Sequence, residues 1–120
     1  MSDKLLTKAE LQLMQLLWDK GEAFVNDLLD ALPEPKLAYS TVSTIIRILV
    51  AKAFVSYHSF GKSYRYYPLI TREEYTSHFM MNVRDVFFGG SGLSMMSFFA
   101  KRQQLSENEK KELIEMLEDM

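Results

Sequence analysis

The chain has 120 residues, 48% of them hydrophobic, and a formal net charge of −2, which suits one compact soluble domain or a small domain with an appendage. No apolar run is long enough to cross a bilayer, and the absence of cysteine excludes a disulfide framework and a thiolate metal site. The start, MSDKLLTKAE, has neither the basic segment nor the apolar stretch of a signal peptide, so the expected location is the cytoplasm, with no membrane partner.

Thr7-Lys8-Ala9-Glu10 has the spacing of a capping box, in which hydroxyl and carboxylate each satisfy an unpaired amide at a helix start. Leu11, Met14, Leu17 and Trp18 follow at helical spacing, Gly21 is a stop signal, and Trp18 reads as a core anchor. Val25, Leu28, Leu29 and Leu32 repeat the pattern in a second, short helix ended by Pro33.

The third helical stretch, Tyr39 to Lys52, has two unlike faces. Val42, Ile45, Ile46 and Leu49 fall on one side, and Ser40, Ser43, Thr44, Arg47 and Ala51 on the other, with Ser40 or Thr41 expected as the cap. Short hydroxyls and one guanidinium bond to phosphates and base edges without bulk that would hold the backbone away from a groove. An ordinary solvated face is the alternative, but such a face more often carries Glu, Lys and Gln, because hydroxyl side chains compete for backbone hydrogen bonds.

Beyond Lys52 the pattern turns extended. Phe54 to Phe60 and Ser63 to Tyr67 are rich in aromatic and β-branched residues, and Gly61-Lys62 between them supplies a hairpin turn. Three helices and a hairpin is the order of a winged helix-turn-helix, whose third helix enters the major groove while the hairpin tip touches the neighbouring backbone. Lys62 would sit at that tip and Arg65 on the returning strand. The tyrosines have a plainer role open to them, filling a sheet face against a helix.

The last third reads as helical. Thr71-Arg72-Glu73-Glu74 is a second capping box, after which Tyr75, Phe79, Val83, Val86 and Phe87 run along one face until Gly89-Gly90. Leu93 to Arg102, with Met95, Met96, Phe98 and Phe99, predicts a short helix too apolar for exposure, and Ser106-Glu107-Asn108-Glu109 opens a last helix that points Leu113, Ile114, Leu117 and Met120 one way. Such helices call for burial, either against a second copy of the chain or as a cover over the preceding domain.

Charge follows the same division. From Pro33 to Ile70, five basic residues (Lys36, Arg47, Lys52, Lys62, Arg65) face Glu34 alone, a net of +4; from Thr71 onward six basic residues face nine acidic ones, a net of −3. A basic middle and an acidic end assign the first to a polyanion and the second away from it.

The segments LTKAELQLMQLLWDKGEAFVNDLLDAL, AYSTVSTIIRILVAKAFVSYHSFGKSYRYYPLITREEY, FFGG and LSENEKKELIEML together resemble the BlaI/MecI penicillinase-repressor family over almost the whole chain. The resemblance implies a bacterial winged-helix repressor that binds dyad operators of double-stranded DNA as a homodimer, near resistance or related genes. On it, Ser40, Thr41, Ser43 and Thr44 stand where that family approaches bases and phosphates. It also implies release by a sensor-linked protease that cuts an Asn-Phe bond in the helix before the last; the corresponding bond here is Phe98–Phe99, without the asparagine. Two further departures are Ile48, where the family usually has a basic residue, and Ala53, where it usually has glycine. Copper-responsive relatives use C-terminal cysteines, which are lacking here.

The expected fold is therefore mainly α with a small β-hairpin, a winged helix-turn-helix over 1–70 followed by a helical dimerisation region over 71–120. The expected DNA contacts are Tyr39, Ser40, Thr41, Ser43, Thr44, Arg47, Lys62 and Arg65. The expected dimer contacts are Tyr75, Phe79, Val83, Val86, Phe87, Leu93, Met96, Phe98, Phe99, Leu113 and Leu117. A winged-helix protein-interaction module would share the fold but has no use for the concentrated positive segment. An enzyme has least support: His58 and His78 lie far apart, Gly89-Gly90 is an isolated pair, and no nucleophile set, acid/base pair, cofactor loop or metal cluster emerges from the spacings.

Overall fold

The computed structural model describes residues 5–120; residues 1–4, and with them the first part of the N-terminal stretch read above, lie outside the described residues. The elements run α1 (Lys8–Lys20), α2 (Val25–Ala31), α3 (Tyr39–Ala51), β1 (Val55–Phe60), β2 (Ser63–Pro68), α4 (Arg72–Phe88), α5 (Gly92–Gln103) and α6 (Glu107–Glu118). The chain is mostly helical with one antiparallel hairpin, as its periodicities predict. Among the described residues no helix is long and apolar enough to cross a membrane. Two compact units are distinguished, Met1–Phe79 and Met80–Met120.

Local chemistry accounts for most helix starts. Thr7 Oγ1 accepts from Glu10 N at 3.2 Å while Glu10 Oε1 accepts from Thr7 N at 2.8 Å, and the same exchange joins Thr71 to Glu74 and Ser106 to Glu109. At α2 only the carboxylate half is made, Asp27 Oδ2 accepting from Phe24 N at 2.9 Å. At α3 the sequence expectation needs correction: the cap is Ala38, in extended backbone, with no side-chain bond to the helix, and Ser40 and Thr41 lie inside the first turn. The hydroxyls are thereby left for other partners.

In the first unit, α1, α2 and α3 bury one stripe each around Leu13, Met14, Leu17, Leu28, Val42, Ile46 and Leu49, and Phe54 and Val55 close the core from the start of the hairpin. Fully burying such side chains is worth about 1.5–3 kcal/mol apiece, so this cluster is what fixes α3 against the other two helices. Trp18, half-buried, donates from Nε1 to Ile70 O at 2.8 Å, and the Tyr75 hydroxyl accepts from Leu6 N at 2.9 Å. Tyr75 therefore departs from the dimer surface read for it: at 4% exposure, its ring 6.0 Å from that of Trp18 and 6.1 Å from that of Phe54, it is a core residue of this unit. Helical periodicity gave the correct face of α4 at this position but not what covers it.

The exit of α3 is a complete Schellman motif, with Phe54 N donating to Leu49 O and Ala53 N to Val50 O, both at 3.0 Å. Its left-handed residue is Ala53, with φ of 65°. The hairpin then pairs Val55 with Pro68 through Phe60 with Ser63, and Gly61 supplies the positive φ of 62° that a two-residue turn of matching twist needs at its first position. Ala23, between α1 and α2, exchanges backbone bonds with Tyr66 at 2.9 and 2.8 Å, so β2 is bonded along both edges.

In the second unit no residue of α5 or α6 is buried. Phe88 and Phe98 meet at 5.6 Å and the Arg102 guanidinium lies 5.1 Å over the Phe98 ring. Phe87, Leu93 and Phe99 are 75%, 78% and 63% exposed.

Candidate nucleic-acid interface

Burying Val42, Ile46 and Leu49 turns the opposite face of α3 outward. Tyr39, Ser40, Thr41, Thr44 and Arg47 are exposed there, and Ser43 is half-buried. Thr44 Oγ1 donates back to Ser40 O at 2.9 Å, which parks the hydroxyl on the helix and leaves its methyl outward. Arg47 makes only long contacts to its own turn, Nε to Ser43 O at 3.4 Å and Nη2 to Ser43 Oγ at 3.3 Å. Bonds of that length are weak, so the guanidinium is held loosely and near its own helix until a better acceptor arrives.

Facing α3 across an open groove of about 660 Å³ is the wing. Tyr39, Ser43 and Arg47 line one wall, Phe60, Lys62, Ser63, Tyr64 and Tyr66 the other, and the start of α2, including Asn26 and Asp27, closes one end. Burial pushes the Tyr66 phenol above its ordinary pKa, against the opposing effect of the Arg47 charge, so it stays a neutral hydroxyl at any physiological pH. The Tyr57 and Tyr64 rings meet beside it at a tilt, with centroids 4.7 Å apart.

Of the expected DNA contacts, the structure gathers Tyr39, Ser43, Arg47 and Lys62 around the groove and keeps Ser40, Thr41 and Thr44 on the same outward surface of α3. Arg65 is different, since its guanidinium already has an acid and a ring as neighbours: Glu22 Oε1 is 3.0 Å from Nε, and the Phe60 ring lies 4.5 Å below. Lys52 is likewise engaged, its Nζ 2.7 Å from Glu10 Oε2, and Lys36 donates to the carbonyls of Leu29 and Asp30 at the end of α2. The positive middle of the sequence is therefore partly spent within the fold, and the groove itself carries Arg47 and Lys62. Ile48, noted in the sequence as a departure from the family, is not among the expected contacts. It is 41% exposed on the shoulder of α3 beside Thr44 and Thr41, and the available signal was an isoleucine standing off the buried stripe.

The expected dimer residues divide by environment. Phe79, Val86, Phe87, Leu93, Met96, Phe98, Phe99, Leu113 and Leu117 are exposed and Val83 is half-buried. Apolar surface on this scale is rare on a monomeric protein.

Known proteins resemble the chain in sequence and in fold. A family model described as "Penicillinase repressor" matches residues 6–119. The chain is 28% identical over 118 residues to the penicillinase repressor of Bacillus licheniformis, covering 95% of this chain and 90% of that protein. It is 25% identical over 113 residues to the methicillin resistance regulatory protein MecI of Staphylococcus aureus (strain N315), covering 93% of this chain and 92% of that one. The solution structure of the DNA-binding domain of the repressor BlaI has the same fold, with a TM-score of 0.54 at 23% identity over 62% of this chain and 94% of that one.

Proposed function

The chain belongs to the penicillinase repressor family, and from that membership we propose that it represses transcription as a homodimer on dyad operators, each copy laying the outer face of α3 in a major groove and its wing on the adjacent backbone. The observation that carries this reading is the pairing of a bulk-free hydroxyl and guanidinium face on α3 with Lys62 across an open groove. Thr44 and Arg47 contact base edges, with Ser40, Thr41, Ser43 and Tyr39 bonding to bases or phosphates, and Lys62 contacts phosphate. Residues 1–70 are the reading domain, and 71–120 supply the dimer contacts.

The second copy covers α4, α5 and α6 through Phe79, Val83, Val86, Phe87, Leu93, Met96, Phe98, Phe99, Leu113 and Leu117. Six such side chains buried on each copy contribute on the order of 10 kcal/mol or more, enough to offset the several kcal/mol that association costs. The genes controlled include resistance-related ones, the site of action is the cytoplasm, and release follows cutting of Phe98–Phe99 in α5 by a sensor-linked protease, which removes α6 from the interface.

The test is binding to a dyad duplex selected from random DNA by the protein itself, titrated against salt. One phosphate-bound Lys62 per protomer predicts a slope of log K on log salt of about −2 for the dimer. Selection of no duplex, or a slope near zero, overturns the reading. After induction, mass spectrometry of the tagged chain should show a fragment ending at Phe98; an intact chain on derepressed promoters rejects the proteolytic release alone.

A further inference from the structure

Three of the four residues that join α1 to α2 each hold the wing by a different contact. Glu22 stands 3.0 Å from Arg65, Ala23 shares two backbone hydrogen bonds with Tyr66, and the Phe24 ring meets that of Phe60 edge-on at 5.9 Å. Arg65 lies at the centre of this patch, sandwiched between the Glu22 carboxylate and the Phe60 ring. Its Nε is sealed from solvent and sits off the hydrogen-bond direction to Glu22, so the contact is an ion pair rather than a bonded fork.

We propose that Arg65 is a positioning residue: with Glu22 it sets the angle of the wing to α3 and so the reach of Lys62, and it makes no contact with DNA itself. The sealed Nε and the Phe60 ring leave a phosphate only the terminal nitrogens of the guanidinium, and the Glu22 carboxylate beside Nε already offsets the charge that would attract it. As a source of stability the pair is minor, because both side chains are more than a third exposed and such pairs are worth about 0.2–1 kcal/mol. As a lever it matters more. Lys62 is four residues along β2 and the turn from Tyr66, about 13 Å at strand spacing, so a tilt of roughly 10° at the anchor moves the tip by about 2 Å. That displacement exceeds the width of the hydrogen-bond distance range.

The inference rests on the DNA reading above, and its test separates the two. On the dyad duplex selected by the parent protein, Glu22→Gln and Arg65→Gln should each weaken binding about two- to fivefold, and the double variant no more than either single one. The salt slope should stay at the parent value in all three. Because the pair acts through Lys62, Lys62→Ala should cost less in the Glu22→Gln background than in the parent. Tighter binding by Glu22→Gln, or a slope reduced by about one in Arg65→Gln, would make Arg65 a phosphate contact and overturn the proposal. Unchanged binding in both single variants overturns it as well. A parent protein that selects no duplex fails at the first step, and there it is the DNA reading that falls.

Discussion

The Glu10 carboxylate, in the first turn of α1, takes the Lys52 ammonium at the end of α3 on both its oxygens, at 2.7 and 3.0 Å, while the same carboxylate caps α1 through Thr7 N. Burial alone pushes this carboxyl up, but the Lys52 ammonium and the Thr7 bonds outweigh it and hold it below its ordinary value of 4.5. A carboxyl depressed in the folded state contributes stability above its unfolded pKa, and that contribution is lost as pH falls through the folded value. The stability difference between parent and Glu10→Gln, measured by urea unfolding, should be constant from pH 7 to about 5 and shrink below the ordinary carboxylate value. A difference that grows on acidification would contradict the assignment. Lys52→Met leaves the carboxylate buried without its cation and should cost about 1–3 kcal/mol at neutral pH.

On α3, Arg47→Ala and Thr44→Ala should each weaken binding to the selected duplex by about 1–3 kcal/mol while leaving random DNA less affected. Lys62→Ala should lower affinity similarly on every sequence and reduce the magnitude of the salt slope by about one per protomer. Titrations on the two duplexes distinguish these patterns, and helix variants that bind both as the parent does would remove α3 from the interface.

Phe87→Asp should separate the copies. The side chain is 75% exposed in the protomer, so the change leaves the protomer's own core untouched but sets an unpaired charge in the proposed interface, which is strongly unfavourable. Sedimentation should give a monomer with native circular dichroism and weakened dyad binding. A parent protein that already sediments as a monomer at micromolar concentration and still protects a dyad would defeat the dimer.

Ala53→Gly should stabilise the first unit. An L-residue in the left-handed region costs about 1–2 kcal/mol, of which the more flexible unfolded glycine chain takes back about 0.4–1 kcal/mol. The net gain is about 0.5–1 kcal/mol, seen as a midpoint raised by about 2–6 °C in a thermal melt. A lowered midpoint would show that the exit of α3 is not held in this geometry.

What could be read beforehand follows from the range of each interaction. Thr7, Thr71 and Ser106 announce their helices because a capping box closes within four residues. The hairpin is legible for the same reason, with Gly61 between two aromatic runs. Ala38 carries no cap, so the hydroxyls nearest to it, Ser40 and Thr41, drew the boundary inward. Tyr75 lies on the face that periodicity indicates, but only the folded chain shows Trp18 and Phe54 against it. The charge balance leaves out partners from elsewhere in the chain for the same reason: Lys52 meets an acid 42 positions away, and Arg65 meets Glu22 across the hairpin edge. Local composition counts both as available to a polyanion.

That internal use of cations bears on how the protein would find its target. Most encounters with a chromosome are with the wrong sequence, and their lifetime is governed by phosphate charge alone. With Arg47 and Lys62 as the cations of each groove, such encounters are brief, and little protein is held in reserve along unrelated DNA. For the dimer proposed above, occupancy of the correct site would then depend chiefly on base contacts and on how much dimer is present.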